Sequence, residues 1–231
     1  MPAILQALFT SGPRSIRVGN ATKESFVKMT LFALALAAAA PFAASASEAN
    51  GIGYTYVQLD AVYEDYSNPY MFGGALSGSY AFTDHFFMTG SYGRTTDDGH
   101  NWDLRHSWWS LGAGYNTAIG DRVDWVTQAS YVRDRYRASY NDDLVSASES
   151  ESYNGYTIST GAQIRVTDHL ITNAHLGWED HSEDLYVGND DGNFYGEFGM
   201  LYRFNDTWGL HGSLKLSEGT ETYMGGIRAS F

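Results

Sequence analysis

The sequence predicts an all-β chain, an antiparallel transmembrane up-and-down β-barrel of about ten strands with eight as the alternative, preceded by a cleaved signal peptide. Three observations predict it. From Ile52 onward, apolar residues recur at every second position in segment after segment, the period of a strand whose two faces meet different surroundings. The 17 Tyr, 12 Phe and 6 Trp stand beside 25 Gly and 4 Pro, a mixture that suits strands and tight turns. The connections alternate between short turns and mostly longer acidic ones, as in barrels that span an outer membrane.

Taken in order, residues 1–26 read as an over-extended gene start or a non-structured stretch, with Val27 or Met29 as the true start; a retained helical extension is the other reading. Residues 27–46 read as a signal peptide. Lys28 supplies the positive flank, the apolar run 29–44 is too short and alanine-rich for a membrane helix, and Ala44-Ser45-Ala46 is a small-x-small cleavage site. Residues 47–231 form the barrel, with strands expected near 52–64, 71–82, 86–94, 104–116, 123–134, 156–166, 170–179, 194–204, 208–216 and 221–231. Alternation is clearest in Tyr156, Ile158, Thr160, Ala162, Ile164, Val166 and in Phe194, Phe198, Met200, Tyr202, Phe204. Their intervening partners are mostly small or polar. Asp124, Trp125 and Val126 leave the facing of the fifth strand ambiguous.

A soluble sandwich would also alternate. Aromatic residues near both strand ends (Trp109 and Tyr115, Tyr202 and Phe204, Trp208) favour lipid, as girdles at two membrane interfaces. In hydrocarbon no water satisfies an open sheet edge, so the first strand must pair with the last. The last strand carries Tyr223, Ile227 and Phe231 on one face, the form of an assembly signal for barrel-insertion machinery. The short turns repeat as Thr83-Asp84-His85, Thr167-Asp168-His169 and Asn205-Asp206-Thr207, where Asp and Asn are expected to cap the backbone.

Without residues 1–46, which hold Arg14, Arg17, Lys23, Lys28 and Glu24, ten basic residues face 26 acidic ones, a net charge near −16. That balance excludes a nucleic-acid partner, whose phosphates need a basic footprint. Cysteine is absent, so disulfides and thiolate metal sites are excluded as well.

Residues 41–46 (Pro-Phe-Ala-Ala-Ser-Ala), 51–57 (Gly-Ile-Gly-Tyr-Thr-Tyr-Val) and 109–116 (Trp-Ser-Leu-Gly-Ala-Gly-Tyr-Asn) carry a family likeness. The chain resembles the small xanthomonad-type outer-membrane proteins named as activators of plant immunity, and more broadly the OmpA/OmpX-like barrels. The resemblance implies an outer-membrane barrel of a Gram-negative cell and brings no catalytic residues.

Faces expected to point inward hold charges of both signs. Asp60 and Glu197 with Arg165, Lys215 and Arg228 read as a lumen polar core, since charges in a narrow barrel must be paired; Arg105 and His175 fall on faces expected inward too. The alternative use of these groups is a narrow porin-like channel. Two connections, 135–155 and 180–193, read as acidic surface loops, and Asp190, Asp191 and Asn193 offer oxygen ligands to a divalent cation that could bridge to lipopolysaccharide. Arg133, Arg135 and Arg137 alternate as a basic row for lipopolysaccharide phosphates or as a solvated edge. Glu179, Asp180, His181 and Ser182 cluster, and His100 and His106 flank another loop, but no nucleophile motif surrounds them. The expected function is therefore envelope-structural or surface-interacting, with a channel second and an enzyme third. No cofactor is expected. The expected partners are outer-membrane lipid, lipopolysaccharide, the barrel-assembly machinery and divalent cations.

Overall fold

A sheet can cross hydrocarbon only if every backbone N–H and C=O is paired, and this one meets that demand by closing on itself. The computed structural model describes residues 50–142, 146–182 and 192–231. Among them are ten strands: β1 (Tyr56–Asp65), β2 (Tyr70–Ala81), β3 (Phe86–Asp98), β4 (Trp102–Ala118), β5 (Val123–Asn141), β6 (Ser146–Arg165), β7 (Leu170–Ser182), β8 (Asn193–Arg203), β9 (Trp208–Ser217) and β10 (Thr220–Ser230). Each pairs antiparallel with its sequence neighbours, and β1 pairs with β10 to close the barrel. The closing register runs from Tyr56 opposite Ser230 to Asp65 opposite Glu221. Gly226 makes that seam fit, because a β-carbon there would stand 1.9 Å from the Leu59 carbonyl oxygen. The ten-strand expectation holds and the eight-strand alternative does not. The expected signal peptide and the residues before it lie outside the described residues.

The outer face is a lipid-facing belt. Phe72, Met88, Leu111, Ile158, Leu176, Phe198, Met200, Leu210 and Ile227 are exposed by 46–72 %. Soluble domains rarely leave so continuous an apolar surface in water, and one this large marks contact with a membrane. Toward the short turns the belt ends in Phe82, Phe86, Tyr115, Tyr202, Phe204 and Trp208, and toward the long connections in Tyr63, Tyr70, Tyr92, Trp109, Tyr131, Tyr156 and Tyr223. Neighbouring rings touch within both girdles, as Phe86 does with Tyr115 at 5.1 Å between centroids and Trp109 with Tyr131 at 5.5 Å. Amphipathic rings of this kind settle at a membrane–water interface. Outer-membrane barrels turn their short connections to the periplasm.

Three features differ from the sequence-based expectation. The stretch 135–155 is largely a hairpin, since β5 runs 19 residues and β6 runs 20. Its alternation is polar on both faces (Arg133-Asp134-Arg135-Tyr136-Arg137 against Asn154-Tyr153-Ser152-Glu151-Ser150), so a hydrophobic reading passes over it. The short turns are capped by their first residue rather than by Asp: Thr83 Oγ1 accepts from the His85 and Phe86 amides, Thr167 Oγ1 from those of His169 and Leu170, and Asn205 Oδ1 from those of Thr207 and Trp208. The His rings of two turns meet the next hairpin, His85 Nδ1 lying 3.0 Å from the Asn116 carbonyl and His169 Nδ1 3.1 Å from that of Arg203. Finally, residues 52–55 precede β1 instead of opening it.

Candidate functional site

The function of a small barrel turns on whether its lumen is open, and the lumen here is occupied at its short-turn end. Residues 50–55 pass beneath the sheet and reach the opposite wall. Ile52 and Tyr54 are buried with Ala81, Phe87, Val126, Ile171 and Leu201 in one apolar cluster. The Tyr54 ring stacks on Phe87 at 5.0 Å, and its hydroxyl donates to Asp124 Oδ2 at 2.9 Å. Asn50 Nδ2 donates to the other oxygen of the same carboxylate. Arg203 Nη1 donates to the Gly51 carbonyl at 3.2 Å, tying the segment to β8. An apolar cluster with its polar rim satisfied in this way is a plug.

Above the plug, charged side chains pair along the lumen wall between nearby strands. Arg228 lies over the Tyr56 ring, 3.8 Å from its centroid, and donates from Nε to Gln58 Oε1 at 2.6 Å. The Gln58 amide donates to Asp60 Oδ2, and His211 Nδ1 lies 3.0 Å from Asp60 Oδ1. Higher on β9, Lys215 Nζ and Ser217 Oγ both donate to the Glu179 carboxylate at 2.6 Å. Lys215 also sits 4.3 Å from the Tyr195 ring centroid, a cation–π contact.

At the long-loop end a longer network spans the barrel. Glu64 accepts from Thr95 Oγ1 at 2.5 Å and has both carboxylate oxygens 3.1 Å from His106 Nδ1. The other ring nitrogen of His106 is 3.0 Å from Asp134 Oδ1, while His181 Nε2 is 3.1 Å from Asp134 Oδ2. A ring that donates from both nitrogens to carboxylates is an imidazolium. Tyr136 and Trp108 cover it, with ring centroids at 4.3 and 5.0 Å. Glu64, His106 and Asp134 are 4–7 % exposed, so the network is part of the wall's interior and not an open cleft.

Of the residues expected to form the polar core, Asp60 and Arg228 meet through Gln58. Lys215 reaches Glu179, although Glu197 is its register partner on β8. Arg165 lies apart at the short-turn mouth, 3.3 Å from Asp168, which is largely exposed. Arg105 is a correction: it shares the outward phase of Trp109, and its neighbour His106 points in. Above the girdle the outer face meets water and headgroups, so a guanidinium can face outward there. Asp124 and Val126 face inward and Trp125 outward, which settles the fifth strand.

Asn193 opens β8 with its side chain buried, whereas Asp190 and Asp191 lie outside the described residues. Among the described residues no group of three or more His, Asp or Glu is arranged to hold a metal ion. Tyr223 and Ile227 face lipid, 42 % and 49 % exposed, and the Phe231 amide donates to the Thr55 carbonyl at 3.0 Å.

Sequence reasoning missed the plug and the His106 network. A signal for the plug was present: Ile52, Tyr54, Phe87, Val126, Ile171 and Leu201 are large apolar residues on the inward phase, where a water-filled channel would carry polar ones.

Residues 29–177 match the family described as the outer membrane protein beta-barrel domain. The chain belongs to that family. Membership places the barrel in the outer membrane. Among solved structures, it is similar to Neisserial surface protein A at 16 % identity and a TM-score of 0.42, covering 78 % of this chain and 98 % of that one. The translocator domain of the autotransporter NalP from Neisseria meningitidis matches at 12 % identity and 0.46, covering 90 % and 97 %. Ail, the attachment invasion locus protein of Yersinia pestis, matches at 15 % and 0.39, covering 76 % and 95 %. No curated protein sequence matches the chain.

Proposed function

We propose that this outer-membrane barrel is a non-conducting scaffold with an envelope-structural or surface-interaction role, holding the β5–β6 hairpin and its acidic loops outside the cell. The observation that carries the reading is the plug, residues 50–55 seated across the short-turn mouth and bonded to β5 and β8. A rigid closed wall fixes the roots of the outer loops, and specificity resides in the loops themselves. Within the family, the likeness of residues 51–57 and 109–116 to the xanthomonad-type proteins named as activators of plant immunity fits a surface-facing role. Tyr223, Ile227 and Phe231 serve in this reading as the signal for assembly, and the lumen groups Asp60, Arg165, Glu197, Lys215 and Arg228 serve structure. The channel alternative would require residues 50–55 to leave the mouth. Planar-bilayer recording on the purified full chain tests the proposal: the expected trace is silent, and steady unitary currents from the native sequence would overturn it.

A further inference from the structure

The described residues hold ten Lys and Arg, and half of them share one outward patch. Arg122 lies in a short turn, while Arg165, Arg203, Lys215 and Arg228 belong to the lumen and its mouth. The other five, Arg94, Arg105, Arg133, Arg135 and Arg137, lie together on the outer face of β3, β4 and β5. Across the β4–β5 pair, Arg137 stands opposite Arg105, Arg135 opposite Ser107 and Arg133 opposite Trp109 of the aromatic girdle. Arg94 is opposite Ser107 on the other side of β4. The patch therefore begins at the girdle and rises above it. Arg133, Arg135 and Arg137 are exposed.

Like charges opposite one another weaken a sheet, so an Arg105–Arg137 pair in an acidic protein needs a compensating anion. The protein supplies one only at the far rim, where Asp98 and Asp103 stand opposite each other across β3 and β4. Asp103 lies 3.7 Å from Arg105 at the far rim, and Arg105 Nε is buried without a hydrogen-bond partner. At the β1–β10 seam, by contrast, the outward rim positions are Asp65 and Glu221.

We infer that Arg94, Arg105, Arg133, Arg135 and Arg137 form a site for the phosphate group of an anionic outer-leaflet lipid of the lipopolysaccharide type. Guanidinium forks match phosphate oxygens in pairs. Position selects the lipid over a free anion, because the patch starts at the girdle on the lipid-facing wall, at headgroup height. Its acyl chains would lie along the belt below, against Leu111 and Ile158. This site is separate from the lumen, so it stands or falls independently of the plug.

The test uses the full chain in phosphatidylcholine vesicles, with and without bisphosphorylated lipid A, reading the temperature at which the compact gel band is lost. Lipid A should raise that temperature for the native protein. The combined variant Arg133→Gln, Arg135→Gln, Arg137→Gln, still showing the compact band, should need at least about tenfold more lipid A for the same rise. Lysine at the same three positions should restore part of the response, and Arg122→Gln should keep all of it. Equal responses from the native chain and the glutamine variant, or an equal rise with dephosphorylated lipid A, would overturn the inference. So would an equal rise with inorganic phosphate or a sulphated polysaccharide in vesicles lacking lipid A, since the anion would then not be a lipid.

Discussion

His106 shows what the lumen asks of one side chain. It is clamped at both ring nitrogens by Glu64 and Asp134 and covered on its faces by Tyr136 and Trp108. His106→Ala leaves the buried Glu64 carboxylate without its cation and removes one of the two histidine partners of Asp134, a loss that costs about 3 kcal/mol. The compact band in a heated gel should accordingly disappear at a clearly lower temperature. An unshifted transition would mean the network contributes nothing. Asp97, at the top of β3, makes a prediction of opposite sign. Burial, and then the neighbouring Asp98, raise its carboxyl from 3.8 to about 6. The folded barrel thus keeps a proton that the unfolded chain has lost, and stability from this group is present below pH 3.8 and fades as pH rises toward 6. Asp97→Asn should flatten that fall, measured as melting temperature against pH; a slope identical to the native one would contradict it. Neither role was legible in advance. A period-2 reading assigns a face only when one face is apolar, and around Arg105 and His106 both faces are polar, so a slip of one residue exchanged them.

Elements were the most legible scale. Where the outward face meets hydrocarbon, as in β6 between Tyr156 and Ile164 or β8 between Phe194 and Tyr202, alternation is enforced and strand and facing both follow from the sequence. Beyond the girdle that enforcement ends. The upper halves of β5 and β6 carry polar side chains on both faces, joined by contacts such as Arg135 Nε donating to Ser150 Oγ, and so they read as a loop. The seam between β1 and β10 depends on backbone proximity, which no pattern of hydrophobicity encodes. Gly226→Val should block it, since even a first carbon would meet Leu59 O at 1.9 Å and Asp60 Cα at 2.7 Å. The expected outcome is loss of the heat-modifiable band and of outer-membrane recovery, whereas Gly219→Ala, in the open β9–β10 turn at φ 76°, should fold with only a modest loss. Normal recovery of Gly226→Val would show that the seam is not as drawn.

For the whole molecule, the sequence left two uses of an inward-facing polar set open, a filled core or a narrow channel. Neither could be chosen from charge alone. The choice depends on six residues that continue the phase of β1 yet leave the sheet to cross the mouth, a long-range contact between residues 50–55 and Asp124 on β5 and Arg203 on β8. The barrel, its girdles and its location follow from the strands; the proposed silence as a channel rests on this segment. Planar-bilayer conductance of the native chain beside the combined variant Asn50→Gly, Ile52→Gly, Tyr54→Gly tests that claim directly. A silent native barrel and a variant that flickers open or conducts steadily is the predicted result. Native currents equal to those of the variant would contradict it.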